Sequence, residues 1–290
     1  MTKVGDIITT ARGELDQIVG PDGNLIKLGL LAPSGPLPMM TQYEDVEGTL
    51  SDEELREMVT RSDRQIARER WDDKWIKDQD GRGACQGYGS ASCVERVRDL
   101  GGQEFVELSG DAAYALVNGG RDRGSALSSG VKAAAEVGYP PASLVPRWEY
   151  RKSRIPQKAW SEASRFRGFE PMRVSTERGL YSALARGFVG VIAVHVSGRF
   201  SQLDRNGISL GRNGTGNHAV CADDIVWDAG IGEYKIDSPN SWKVRWGDNG
   251  RCYYTFDRQL RRTIQTHSFY VFRSATEDPE GDNPPAVITN

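Results

Sequence analysis

The clearest helical periodicity in the chain begins after residue 50. Ser51 followed three residues later by Glu54 is the signature of a capping box, and Leu55, Met58 and Val59 then supply an apolar stripe. This pattern predicts a helix over about 52–69. A second pattern follows a glycine-rich stretch: in "GYGSASCVERVRDLG", Tyr88, Ala91, Val94 and Val97 recur at helical spacing and the run ends near Gly101. Cys85 then stands in the first turn of that helix. Between residues 111 and 141, two short helical runs are separated by a turn at Asn118, Gly119 and Gly120. From Gly187 onward, "GFVGVIAVHVSG", "NHAVCADDIVWD", "GEYKIDSPNSWKVRWG" and "RCYYTFDRQL" are strand-like runs punctuated by glycine and asparagine. A helical first part and a strand-rich second part predict an α+β protein of two lobes.

The ends read differently. Pro21, Asp22 and Gly23, then Ser34, Gly35 and Pro36, punctuate an apolar stretch from Leu25 to Leu31, the pattern of a hairpin or extended arm. The closing residues, with "EDPEGDNPP", have the composition of a loose tail. The organisation expected is an N-terminal arm and helix over 1–70, a helical lobe over 71–186, a strand-rich lobe over 187–271 and a tail over 272–290.

Composition narrows the partners. The 290 residues suffice for two lobes sharing an interface. With 37 basic against 40 acidic residues the net charge is only −3, so no basic excess points to nucleic acid or an anionic membrane. Near the N-terminus the apolar run of Ile7 and Ile8 is only two residues long before polar residues return, too short for the core of a secretory signal, and no stretch approaches the roughly 20 apolar residues of a membrane helix. The expected location is the cytoplasm. Cys85, Cys93, Cys221 and Cys252 include no Cys-x-x-Cys pair and are read as thiols rather than as disulfides or zinc ligands.

The candidate chemistry centres on "DQDGRGACQGYG", residues 78–89. A cysteine at a helix N-terminus feels the dipole and the unpaired N–H groups, both of which favour the thiolate. Thiol catalysis also needs a histidine to exchange the proton and a polar group to orient the imidazole. Of His195, His218 and His267, His218 opens an apolar strand at "NHAV", where a side chain can face a cleft. Asn240 lies in "DSPNSW", where the Trp242 indole can cover an amide-to-imidazole hydrogen bond.

At these residues the chain resembles the papain family of cysteine peptidases. Gln79 stands six residues before Cys85 across a glycine-rich turn, and Asn118 to Gly120 supply an Asn-Gly-Gly. "NHAV" at 217–220 and "NSWKVRWGDNG" at 240–250 match the histidine and asparagine segments. The matches keep the family order over residues 77–271. The resemblance implies a two-lobed fold, with a helical left lobe, a β-barrel-like right lobe and the active-site cleft between. It implies Cys85 as nucleophile, His218 as general acid and base, Asn240 as orienter and Gln79 as an oxyanion donor beside the Cys85 N–H. Gly119, Gly120 and Asn217 would contact an extended polypeptide substrate, and Trp242 and Trp246 would shield the site. No metal or cofactor is implied. The N-terminal arm would lie across or beside the cleft, as an inhibitory propeptide or as an accessory segment.

The chain also departs from the family. Gln86 and Tyr88 stand where a tryptophan and another aromatic are usual, which changes the packing beneath the thiolate. Arg82 and Val117 replace two disulfide cysteines. Cys93, Cys221 and Cys252 lie in apolar runs and read as core residues. His195 reads as structural or rim, and His267 has no motif near it. Asp223 and Asp224 are adjacent and read as a turn rather than a cation site. The run "RSDRQIARER" reads as a solvated helix face. The favoured function is peptide hydrolysis through an acyl-enzyme. The alternatives are a catalytically silent papain-like scaffold for binding or assembly, and acyl transfer to an amine.

Overall fold

The computed structural model describes residues 3–10, 15–33, 40–60 and 75–275. Strands β1 (Ile7–Ile8), β2 (Gln17–Val19) and β3 (Leu25–Lys27) form a small antiparallel sheet in sequence order, the hairpin that the turn residues predict. Helices α1 (Tyr43–Val46) and α2 (Asp52–Thr60) follow. The capping box forms as read: Ser51 N–H donates to the Glu54 carboxylate at 2.8 Å, and Glu54 N–H donates to Ser51 Oγ at 3.3 Å. The expected continuation of α2 to residue 69 and the basic run at 61–70 lie outside the described residues.

The helical lobe is built on α3 (Cys85–Leu100), with α4 (Gly110–Ala115), α5 (Leu127–Glu136) and α6 (Gln157–Ala163). Helix α3 is buried along nearly its whole length. Small residues make that possible. A Cβ on Gly87 would stand 2.7 Å from the Gly110 carbonyl oxygen, so only glycine lets α4 approach this closely. A buried ion pair fixes the chain entering α3: Lys77 Nζ meets Glu95 Oε1 at 2.7 Å and donates to the Leu108 carbonyl at 2.9 Å. Burial raises the Glu95 pKa, and the Lys77 charge pulls it back toward the ionised form.

The second lobe contains β4 (Gly168–Phe169), β5 (Met172–Val174), α7 (Glu177–Ala185), β6 (Val189–Val194), β7 (His218–Ala222), β8 (Asp224–Asp228), β9 (Glu233–Pro239), β10 (Arg251–Tyr254), α8 (Arg261–His267), β11 (Phe269–Phe272) and β12 (Ser274–Ala275). One sheet has the order β5-β11-β6-β7 and a second β10-β9-β8, while β12 pairs with β4. Every position of β6 is buried, as in a strand covered on both faces. The strand-rich lobe expected to be barrel-like is built of these three sheets, with no closed barrel among the described residues.

The strand-rich part also begins earlier than residue 187. β5 pairs with β11 through Phe269 and Val174, so the sheet reaches back to Met172. A three-residue strand is too short to show an alternation in the sequence. The expected tail from 272 is paired at its start, where Ser274 lies opposite Phe169; residues 276–290 lie outside the described part. Asp223 and Asp224 mark the junction of β7 and β8, and buried Asp223 accepts from Arg251 Nη2 at 2.8 and 2.9 Å.

The first 60 residues do two different things. α1 and the loop after it dock on the second lobe, where Arg186 donates to the Tyr43 hydroxyl at 2.7 Å and to the Glu47 and Gly48 carbonyls. The hairpin of β2 and β3 instead leads into an extended stretch between the lobes.

Candidate active site

The two lobes are stitched together just ahead of Cys85. Gln79 N–H donates to the Ser241 carbonyl at 3.0 Å and Lys243 N–H to the Lys77 carbonyl at 3.1 Å, a strand-like pairing of 77–79 with 241–243. Gln79 is thereby held beside Trp242. Its Oε1 accepts from Ser241 Oγ at 2.6 Å and from Trp242 Nε1 at 3.2 Å, while Nε2 donates to the Arg82 carbonyl at 2.6 Å. Two donors on one oxygen fix the amide orientation and turn the NH2 group toward the loop that enters α3.

His218 is the first residue of β7, in register with Val194, and Asn240 follows the last residue of β9. His218 Nε2 lies 2.8 Å from Asn240 Oδ1, which also accepts the Ser241 N–H at 2.8 Å. A carbonyl oxygen only accepts, so the proton sits on Nε2 and the lone pair on Nδ1. Nδ1 makes no hydrogen bond among the described residues. The Trp242 indole covers the imidazole at 4.5 Å between ring centroids, and Phe200 meets it edge-on at 6.2 Å. Trp246 stacks on Phe200 at 5.6 Å, one layer further from His218, and donates from Nε1 to Ser201 Oγ.

Cys85 is the first residue of the 16-residue helix α3 and is wholly buried. Burial pushes its pKa up to about 11, against hydrogen bonding from the backbone of Ala219, Gly29 and Gln86. Ala219 is the neighbour of His218, so the thiol sits against the start of the strand that carries the histidine. Burial pushes His218 down to about 4, with the Asn240 hydrogen bond opposing. As covered here, the pair is a neutral thiol and a neutral imidazole at neutral pH.

The cover is the chain's own N-terminal stretch. Lys27 N–H donates to the Gly81 carbonyl, Leu30 N–H to the Asn217 carbonyl at 3.2 Å and Leu31 N–H to the Ser125 carbonyl at 3.0 Å, while Ser125 N–H donates to the Gly29 carbonyl at 2.9 Å. Residues 27–31 thus run between the walls of the cleft. A Cβ on Gly29 would lie 1.9 Å from the Gly83 carbonyl oxygen, so no side chain fits at the point nearest Cys85. Leu28 and Leu30 on either side are buried in the main core. Two ion pairs pin the stretch: Lys27 to Asp122 at 2.6 Å, and Asp22 in the hairpin turn to Lys243 at 2.8 Å. Asp122 also accepts the Gly83 N–H at 2.9 Å, tying the cover to the loop before Cys85.

Other residues singled out in the sequence fall as follows. Gly119 and Gly120 are exposed on a turn closed by Asn118 Oδ1, which accepts the Gly120 N–H at 2.7 Å. The backbone that pairs with residues 29–31 belongs to Ser125, five residues further on. Asn217 lines the opposite wall, its side chain bonded to the Val196 backbone and its carbonyl to Leu30. Cys93, Cys221 and Cys252 are buried free thiols in the main core, as expected. His195 is half-buried beneath Gly214, and His267 bonds the Thr215 carbonyl. Sequence reasoning missed Ser125, Asp122 and Phe200. The available signal for the first was Gly124-Ser125 just ahead of the apolar helix α5, a fainter one than the Asn-Gly-Gly turn nearby.

No family model matches the chain, and no curated protein matches it. Solved structures do. Xylellain, a cysteine protease from Xylella fastidiosa, is similar over 92% of this chain and 99% of its own, with 16% identity and a TM-score of 0.63. The proform of the ragweed pollen cysteine protease Amb a 11 is similar over 72% of this chain at 18% identity and a TM-score of 0.57; the match spans 63% of that protein's length. Bromelain from Ananas comosus, in complex with the E64 inhibitor, is similar over 83% of this chain and 100% of its own, at 18% identity and a TM-score of 0.53. The chain therefore has the α+β fold of the papain-like cysteine proteases. Its structural neighbours are peptidases.

Proposed function

We propose that the protein is a cysteine peptidase whose cleft is closed by its own residues 27–31. The observation that carries this reading is the hydrogen bond from His218 Nε2 to Asn240, which leaves Nδ1 free at the end of the strand that meets Cys85. In the reaction the Cys85 thiol gives its proton to His218 Nδ1, and the sulfur attacks the carbonyl carbon of an extended polypeptide. Negative charge gathers on the carbonyl oxygen, where the Cys85 N–H and the Gln79 amide stabilise it. The C–N bond breaks as His218 returns the proton to the leaving amine, and water then hydrolyses the thioester.

Closure explains the neutral pair. Gly29 and its neighbours keep water from the sulfur, and without water neither ion is favoured. Displacing them restores solvent to both groups and lets the N-terminus of α3 favour the thiolate. The test compares hydrolysis of denatured protein by the full chain, by Gly29→Val and by Gly29→Val with Cys85→Ala. Activity that appears in Gly29→Val and vanishes in the double variant supports the reading. A Gly29→Val protein that stays folded, exposes Cys85 and hydrolyses nothing favours the silent scaffold, for which the complete burial of Cys85 is the supporting observation.

A further inference from the structure

A glutamine in full burial needs a reason, because an amide shut away from water is unfavourable unless its hydrogen bonds are remade. Gln86, the second residue of α3, is wholly buried. Its Oε1 accepts from Ser125 Oγ at 3.2 Å and its Nε2 donates to Ser90 Oγ at 3.1 Å. Ser90 Oγ in turn lies 3.0 Å from the Tyr139 hydroxyl, which donates to the Gly130 carbonyl at 2.7 Å. The room is made for this side chain: a Cβ on Gly130 would fall 1.3 Å from Gln86 Nε2. A network therefore runs from the helix of the nucleophile to the start of α5.

The end of that network is the wall of the cleft. Both backbone groups of Ser125 are engaged by the extended chain in front of Cys85, the N–H by Gly29 and the carbonyl by Leu31. Its side chain points the other way, into Gln86. Leucine would fill the same volume without holding Ser125 at a fixed height.

We propose that Gln86 is a positioning residue: through Ser125 Oγ it sets the backbone ledge on which an extended peptide pairs beside Cys85. The chain's own residues 29–31 are the peptide that occupies the ledge here. The extension to polypeptide substrates rests on the peptidase reading, but the ledge itself does not.

The test is amide hydrogen exchange on the full chain, in which the ledge is occupied and no catalysis is required. In Gln86→Leu, and independently in Ser125→Ala, exchange at the Ser125 and Leu31 amides is expected to rise roughly tenfold, the scale of one lost buried hydrogen bond. Exchange in the pairing of β6 with β7 on the opposite wall is expected to stay within twofold. In the Gly29→Val background the same changes raise KM for peptides several-fold, with kcat and the rate of Cys85 alkylation by iodoacetamide retained. Unchanged exchange at Ser125 and Leu31 in both variants overturns the proposal. So does an equal rise in β6 and β7, which makes Gln86 a general stabiliser. If Gln86→Leu does not fold, Ser125→Ala decides alone. A positive exchange result in a protein that hydrolyses nothing leaves the ledge standing and removes only the peptidase reading.

Discussion

The two sides of the cleft are finished in different ways. On the sheet side, His218, Asn240, Trp242 and Phe200 form a self-sufficient unit: the imidazole is hydrogen-bonded, its tautomer fixed and its outer face covered by rings from the same lobe. On the helix side, Cys85 has the right place at the head of α3, but its surroundings are completed by residues 27–31 from far away in the chain. The first arrangement is completed within one lobe. The second is held by a few backbone hydrogen bonds, by two partly exposed ion pairs that contribute little individually, and by burial of Leu28 and Leu30 in the main core. On the proposed function, this contrast gives the chemistry to one set of contacts and its control to another.

The strongest challenge to that contrast is to remove the nucleophile. Cys85→Ala in the opened Gly29→Val chain is expected to lower kcat/KM by about a thousandfold or more, as loss of a covalent nucleophile does. Retained hydrolysis would move the reaction elsewhere. Next comes the frame on the helix side. Lys77→Met leaves the buried Glu95 carboxyl without its cation, and denaturant unfolding should show a loss of about 3 kcal/mol or more. A loss near zero would mean that the loop before Cys85 is held by other contacts.

The sheet side is sharpened by Asn240→Ala, which frees the imidazole to turn. A fall of roughly tenfold to a hundredfold in kcat of the opened chain is expected, with KM little changed. An equal fall in kcat for Trp242→Ala would show that shielding matters as much as orientation.

The smallest effect expected is that of pH on the cover. In the closed site His218 takes up a proton only near pH 4, whereas a solvated histidine does so near 6.5. In a Cys85→Ala chain, where no thiol can hand His218 its proton, the displaced form therefore binds more protons than the closed form between those values, and acid favours displacement. Exchange at the Leu30 and Leu31 amides of that variant, corrected for the intrinsic rate, should rise roughly threefold from pH 7 to pH 6. A flat profile would mean that the cover leaves His218 buried when it opens.

How much of this was legible in the sequence follows from the range of each interaction. The start of α3 at Cys85 and the capping box at Ser51 are written in local spacing and the fold carries them as read, and the segments singled out for His218 and Asn240 bring those two side chains together. The occupancy of the cleft is not local. Gly29 meets Gly83 and Ser125 only in the folded chain, and "LGLL" reads simply as an apolar arm. β5 is hidden because three residues cannot show a period. The Ser125 ledge was masked by a louder neighbour, since Asn-Gly-Gly marks a turn so clearly that it draws the reading five residues too early. Gln86 stands out as a departure, yet Ser125, the partner that links it to the cleft, lies 39 residues away.

The most direct test of the account is the rate at which iodoacetamide modifies Cys85 near neutral pH, mapped by mass spectrometry. It is measured for the full chain, for Gly29→Val, and for Gly29→Val with His218→Ala. The account predicts slow labelling of the full chain, labelling at least roughly tenfold faster once Gly29 is replaced, and loss of that gain without His218. Equal rates in all three proteins would contradict it, because Cys85 would then be neither sealed by residues 27–31 nor activated by His218.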